Sequence, residues 1–186
     1  MNWHEFFTYD AEAGRLVWKR RPPEHFKSGV AKSCNPHASW NTKWAGKNAG
    51  CTDSRGYWVV SIAGAPTKMA HRIIWEMHHG PIPEGMDIDH VNGNPSDNRL
   101  DNLRISQVHQ NLSNRVAQRN NQLGLKGVSK HKRGSGRYVS QITVNGRYVY
   151  VGCFPTKGGA AVAYAKASLR YHGKFSPFYR KTALSA

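Results

Sequence analysis

The chain has few cysteines, no long apolar run and, beyond residue 101, no acid at all. Its 186 residues hold three cysteines, Cys34, Cys51 and Cys153, without a CxxC pair. An odd number with that spacing argues against a zinc ribbon and for reduced structural thiols. No apolar stretch approaches the ~20 residues that cross a bilayer. Met1 leads into polar and aromatic residues rather than a charged-then-apolar leader, so an intracellular, cytoplasmic protein is expected. All 11 Asp and Glu lie at or before Asp101, where 12 Lys and Arg leave a balance near +1 (12 − 11). From Asn102 to Ala186 there are 15 Lys and Arg and no acid.

A field of one sign draws polyanions and releases their counterions on contact. A membrane surface is the rival partner, but it calls for a basic amphipathic helix with a broad apolar face. None is evident, so nucleic acid is favoured and no membrane partner is expected.

Residues 1 to about 66 read as short strands and loops, with strands at 15–19 and 56–62 and no clear period over 22–56. His71 to His79 reads as a short helix ended by Gly80 and Pro81, with Ile74 and Met77 inward. His71 stands just before its apolar face, and a satisfied side chain there weighs at least as much as a DNA contact. Asp87 to His90 reads as a strand. A loop of turn formers follows at 92–98, then a returning strand at Leu103-Arg104-Ile105. Ser106 is the expected N-cap of a helix from about Gln107 to Arg119, which carries Asn111 at the edge of its apolar stripe.

Further on, Tyr138 to Val144 alternates, and Asn145-Gly146 signals a two-residue hairpin turn. That turn pairs Thr143 with Tyr148 and Gln141 with Tyr150, so these four share one polar-aromatic face. Thr156 is placed to cap a helix running to about His172, with Ala160, Ala163, Tyr164, Ala167 and Tyr171 inward and Gly173 as its stop.

The chemistry concentrates at Asp89-His90, Asn102 and Asn111, the amides lying 102 − 90 = 12 and 111 − 90 = 21 residues beyond the imidazole. Hydrolysing a phosphodiester needs an activated water and neutralised charge. A hard ion such as Mg²⁺ takes one or two protein oxygens and fills its other positions with water and phosphate. Asp89 and Asn111 can supply those oxygens. His90 suits a general base near neutral pH, and Asn102 is a candidate for fixing its ring.

With Asn92-Gly93, Asn98 and Asp101-Asn102-Leu103-Arg104, this stretch resembles the phage and intron-homing branch of the HNH nucleases. The resemblance implies a ββα-metal fold with one divalent ion. Asp89 and Asn111 would be its ligands, His90 the residue that activates water, and Asn102 the residue that orients it. An amide at the third motif position, in place of the more usual His, favours Mg²⁺ or Mn²⁺ over Zn²⁺.

Residues of about 124 to 178 resemble the DNA-binding domain of plant ethylene-response factors. Lys126-Gly127-Val128, Gln141-Ile142, Gly152-Cys153-Phe154, Thr156, Ala160-Ala161, Ala163-Tyr164, Ala167 and Gly173 carry the likeness. It implies a three-stranded antiparallel sheet laid on duplex DNA with a helix behind. Lys126, Ser129, His131, Gln141, Thr143, Tyr148 and Tyr150 would be its DNA-facing positions. Where the plant proteins place several Arg and Trp, this chain has Ser129, His131, Thr143 and Tyr148, so base specificity does not transfer. Lys130, Lys132, Arg133 and Arg137 are expected to grip phosphates.

The expectation is an α+β chain: a β-rich N-terminal region (1–66), a ββα-metal HNH nuclease module (67–119) and an ethylene-response-factor-type DNA-binding domain (120–186). It would be a Mg²⁺- or Mn²⁺-dependent endonuclease acting on double-stranded DNA. A monomer would nick and a homodimer could break both strands; the sequence does not choose. Its rivals are a DNA-binding regulator with an inactive nuclease module, and a protein that binds or cuts RNA with its tyrosines stacked on unpaired bases.

Overall fold

A computed structural model describes residues 1–26, 36–62, 65–107, 121–131 and 135–179. Residues 108–119 of the expected helix, and with them Asn111, lie outside the described residues, as do Lys132 and Arg133. Among the described residues the fold is a mixture of three helices and several small antiparallel sheets. It divides into two compact units, residues 1–90 with 94–105, and residues 91–93 with 106–186.

The first unit opens on a hairpin of β1 (Phe7–Asp10) and β2 (Arg15–Trp18), paired from Phe7 with Trp18 to Asp10 with Arg15. Phe7, Leu16 and Trp18 point into the core. A three-stranded sheet follows, β3 (Cys51–Thr52), β4 (Trp58–Val60) and β5 (Lys68–Met69), with β4 in the middle. Helix α2 (Ala70–His79) buries Ala70, His71, Ile73 and Ile74, one face of a 3.6-residue period, and stops at Gly80 with φ 80°. Met77 packs at the margin of that face. Strand β6 (Met86–His90) then pairs with β7 (Leu103–Gln107). Leader and nuclease segment share one core, in which Phe7, Leu16 and Trp18 join Val60, Ile73, Ile74, Ile88 and Leu103.

Two expectations fail here. Residues 36–44 are helical (α1, Pro36–Trp44) rather than irregular. This helix has no apolar stripe to betray it. Contacts remote in sequence hold it: the Trp40 ring stands edge-on to Trp18 at 5.0 Å, and the buried Asn41 amide bonds both the N–H and the C=O of Arg21 at 2.8 Å. Ser106 is a strand residue rather than a helix cap, because β7 continues through Gln107 with Ser106 buried in it.

The second unit has a sheet in the order β10-β9-β8, built from β8 (Val128–Lys130), β9 (Tyr138–Val144) and β10 (Arg147–Phe154). The turn residues Asn145 and Gly146 both have positive φ, 49° and 78°. Pairing runs as the turn chemistry requires, Thr143 with Tyr148 and Gln141 with Tyr150, up to a bulge between Tyr150 and Gly152. Helix α3 (Lys157–His172) is capped by the Thr156 hydroxyl, which accepts from the Gly159 N–H at 3.1 Å. Ala160, Tyr164 and Ala167 face Val128 and Ile142 across a small apolar core. Gly127 sits at φ 67°, where an added Cβ would collide with the Tyr164 ring and the Gln141 carbonyl. Tyr171 is a correction to the inward stripe: its side chain is 45% exposed.

Candidate active site

Strand β6 ends in three successive buried residues, Ile88, Asp89 and His90. A strand sends alternate side chains to opposite faces. Burial of both Asp89 and His90 therefore means that polar partners await on each face. Asp89 and His90 are each 4% exposed, Asn98 0% and Asn102 1%.

The His90 ring is fixed by Asn98, whose Oδ1 lies 2.9 Å from Nε2. A carbonyl oxygen only accepts, so Nε2 carries the proton and Nδ1 keeps its lone pair. Asn102, the expected orienting residue, donates Nδ2 to the Asp97 carbonyl at 2.7 Å and so closes the loop that carries Asn98. Around the ring lie His71, edge-on at 4.9 Å, and Tyr57 at 6.0 Å, with His71 and Tyr57 themselves 5.7 Å apart. Among the described residues, two buried polar atoms beside His90, His71 Nδ1 and Asn98 Nδ2, have no hydrogen-bond partner.

Burial lowers the pKa of His90; its bond to Asn98 and the nearby Asp89 charge oppose the shift. The ring is thus biased towards the neutral form that a base requires. Burial, seconded by His90, pushes His71 down to about 3.

Asp89 Oδ2 accepts from both Arg104 Nε at 2.9 Å and Arg104 Nη2 at 2.6 Å. Strands β6 and β7 bring this pair together. Among the described residues no cluster of three or more His, Cys, Asp or Glu could hold an ion. The donor set is a single buried carboxylate, Asp89, already facing a cation. That chemistry fits a hard, oxygen-loving ion that keeps water ligands, and not a thiolate or imidazole zinc site.

The loop behind Asn98 is braced from two sides. The Tyr9 hydroxyl donates to the Asn98 carbonyl at 3.3 Å and accepts from the Leu100 N–H at 3.1 Å. Gly14, in the β1–β2 turn at φ 62°, lies so close that an added Cβ would fall 2.7 Å from the Arg99 nitrogen. On the other side Ser96 Oγ donates to the Gly56 carbonyl at 2.7 Å.

Sequence reasoning passed over Asn98 as the ring partner, Arg104 as the counter-ion of Asp89, and Tyr9 altogether. The signal for Arg104 was present, since opposite charges on two strands joined by one loop are natural cross-strand partners. Tyr9 left none, being 89 residues from Asn98.

In the second unit Gln141, Thr143, Tyr148 and Tyr150 stand exposed, with Tyr148 at 79% and Tyr150 at 65%. Ser129, Lys130 and Arg137 are also exposed, and Lys126 and His131 half-buried. The Arg137 guanidinium donates to the Cys153 carbonyl at 3.0 Å.

Residues 68–112 match the HNH endonuclease family, a segment that contains every member of the cluster around His90 except Tyr57. The match does not extend over the C-terminal sheet. Two phage proteins are similar to parts of the chain. Protein 3.8 of Escherichia phage T7 is 45% identical over 62 residues, 33% of this chain and 51% of that protein. The "Uncharacterized gene 5.3 protein" of Enterobacteria phage T3 is 61% identical over 42 residues, 19% of this chain and 41% of that protein. The chain therefore spans about half the length of these relatives or less. Residues 68–112 are thus a segment similar to the HNH endonucleases. No helix among the described residues is long and apolar enough to cross a membrane.

Proposed function

We propose that this chain is a metal-dependent DNA endonuclease of the homing-like HNH type, with His90 as general base. One observation carries the reading: a buried histidine whose Nε2 is held by Asn98, next to a buried carboxylate, within the segment that matches the HNH endonucleases. His90 Nδ1 takes a proton from water, the water oxygen attacks the scissile phosphorus, and the bond from phosphorus to the leaving sugar oxygen breaks, that oxygen finally taking a proton from solvent. Asn98 keeps the ring in the required tautomer, and Asn102 keeps Asn98 in place by closing their shared loop. Asp89 and Asn111 would hold one Mg²⁺ or Mn²⁺, which when bound neutralises phosphate charge and assists the leaving oxygen.

The exposed face of Gln141, Thr143, Tyr148 and Tyr150, flanked by Lys126, Ser129, Lys130, His131, Lys132, Arg133 and Arg137, would lie on duplex DNA as in the ethylene-response-factor domains. Its alternation and the acid-free composition of this half support that role.

Supercoiled plasmid incubated with the protein and Mg²⁺ or Mn²⁺ tests the reading. Nicked or linear product is expected, with His90→Ala slower by roughly 10²–10⁴-fold, the usual contribution of a general base. Intact plasmid, or a His90→Ala variant as fast as wild type, refutes it. The second reading, a DNA-binding regulator with an inactive nuclease segment, draws on the occupation of Asp89 by Arg104. It predicts plasmid binding without cleavage.

A further inference from the structure

Among the described residues, four arginine–carboxylate pairs stud the first unit, and they differ in burial. Side-chain exposures are 64% and 20% for Arg55–Asp53, 33% and 36% for Arg72–Asp87, and 48% and 16% for Arg99–Asp97. For Arg104–Asp89 they are 15% and 5%. The pair shielded most from water is thus the one built on the carboxylate assigned above to the metal. An exposed pair contributes little. A buried carboxylate stripped of its cation is strongly destabilising, so Asp89 must always face positive charge.

Arg104 meets that need by aiming Nε and Nη2 at the same oxygen, Oδ2. A carboxylate oxygen has about two lone-pair sites, and both of these are taken. A divalent ion cannot bind there while the guanidinium stays.

We propose that Arg104 is a resident competitor for the cation site: guanidinium and divalent ion occupy Asp89 Oδ2 in turn. This rests on the nuclease reading only for the identity of the site. The displaced guanidinium needs a new acceptor, and a DNA phosphate offers two oxygens in the geometry it prefers. DNA therefore eases metal entry, and by thermodynamic reciprocity bound metal tightens DNA by the same factor. Metal-free protein keeps a neutralised, closed site, and loading is completed on the substrate.

Two measurements test the exchange, and neither reads cleavage. In DNA-free protein labelled with ¹⁵N-arginine, the Arg104 Nε–H signal is identified by its loss in Arg104→Lys and then followed during Mg²⁺ titration. A saturable displacement of this signal is expected. A signal that stays put up to the solubility limit overturns the proposal; the titration is made on wild-type protein, and Arg104→Lys serves only for assignment, valid where its other arginine signals keep their wild-type positions. Calorimetry with Mn²⁺ is the second measurement. Arg104→Gln should bind at least about fivefold more tightly than wild type, the lower end of ordinary coupling, while the control Arg99→Gln, which removes a charge paired elsewhere, should change far less. Equal affinities in the two variants also overturn it.

Plasmid nicking separates the two claims. Cleavage by a protein whose Arg104 signal never moves keeps the nuclease reading and removes the exchange. A moving signal without cleavage keeps the exchange and removes the nuclease.

Discussion

At the scale of single residues, the Nε2–Asn98 bond decides which nitrogen of His90 can act as a base. Asn98→Ala removes the acceptor and lets the ring turn and change tautomer. Initial nicking rates should fall roughly 10–100-fold, less than for loss of the base itself, with little change in DNA affinity by fluorescence anisotropy. His71 makes a different prediction. Its folded pKa of about 3 lies below the ordinary 6.5, because burial, seconded by His90 and Arg72 and opposed by the Asp87 carboxylate, favours the neutral ring. Below pH 6.5 the unfolded chain takes up a proton that the folded chain refuses. Stability is therefore complete above that pH and is lost as pH falls towards 3, by on the order of 4 kcal/mol at about 1.4 kcal/mol per pH unit. Urea unfolding at a series of pH values should show this slope in wild type and a much shallower one in His71→Leu.

At the scale of elements, what could be read from the sequence was local, and what could not was remote. The β9–β10 register follows from Asn145-Gly146, whose two positive φ values are a property of the turn itself. The start of α3 at Thr156 and its stop at Gly173 are equally local. Asp89 and His90 announce themselves by adjacency. Helix α1 does not, since Trp40 and Asn41 find their partners on Trp18 and Arg21 only once the chain has folded. Asn98 and Asn102 are equivalent amides in a polar loop, and the folded loop, not its spelling, decides which one meets the ring. Tyr9 is the extreme case. Tyr9→Phe deletes a donor and an acceptor on the Asn98–Leu100 backbone. It should lower stability in urea by about 1–2 kcal/mol and lower the nicking rate in parallel with Asn98→Ala, although its hydroxyl bonds the loop backbone and not His90 or Asp89.

At the scale of the whole molecule, charge is divided as sharply as structure. The near-neutral segment to Asp101 holds the acid and the proposed base, and the acid-free remainder holds 15 cations. Binding should then be dominated by phosphate contacts and fall steeply with salt. Each phosphate-contacting cation contributes about 0.9 to the slope of log affinity against log salt. Lys130→Ala should lower that slope by about one and weaken binding to all duplexes alike, as measured by anisotropy on two unrelated sequences. Tyr148→Ala, on the exposed sheet face, should instead change the ranking of sequences if that face reads bases. Equal losses on every duplex would assign it to the backbone.

The brace that Tyr9 and Gly14 place behind Asn98 also bears on inheritance. A crossover falling between the codons for residues 18 and 68 would leave the His90 loop intact in sequence but deprive it of the hairpin it leans on. Exchange of residues 68–112 should therefore succeed where the hairpin of Phe7 to Trp18 travels with them, or where the recipient supplies an aromatic hydroxyl and a close-packed glycine in its place. The smallest heritable unit of this site begins at the hairpin, some eighty residues before its histidine.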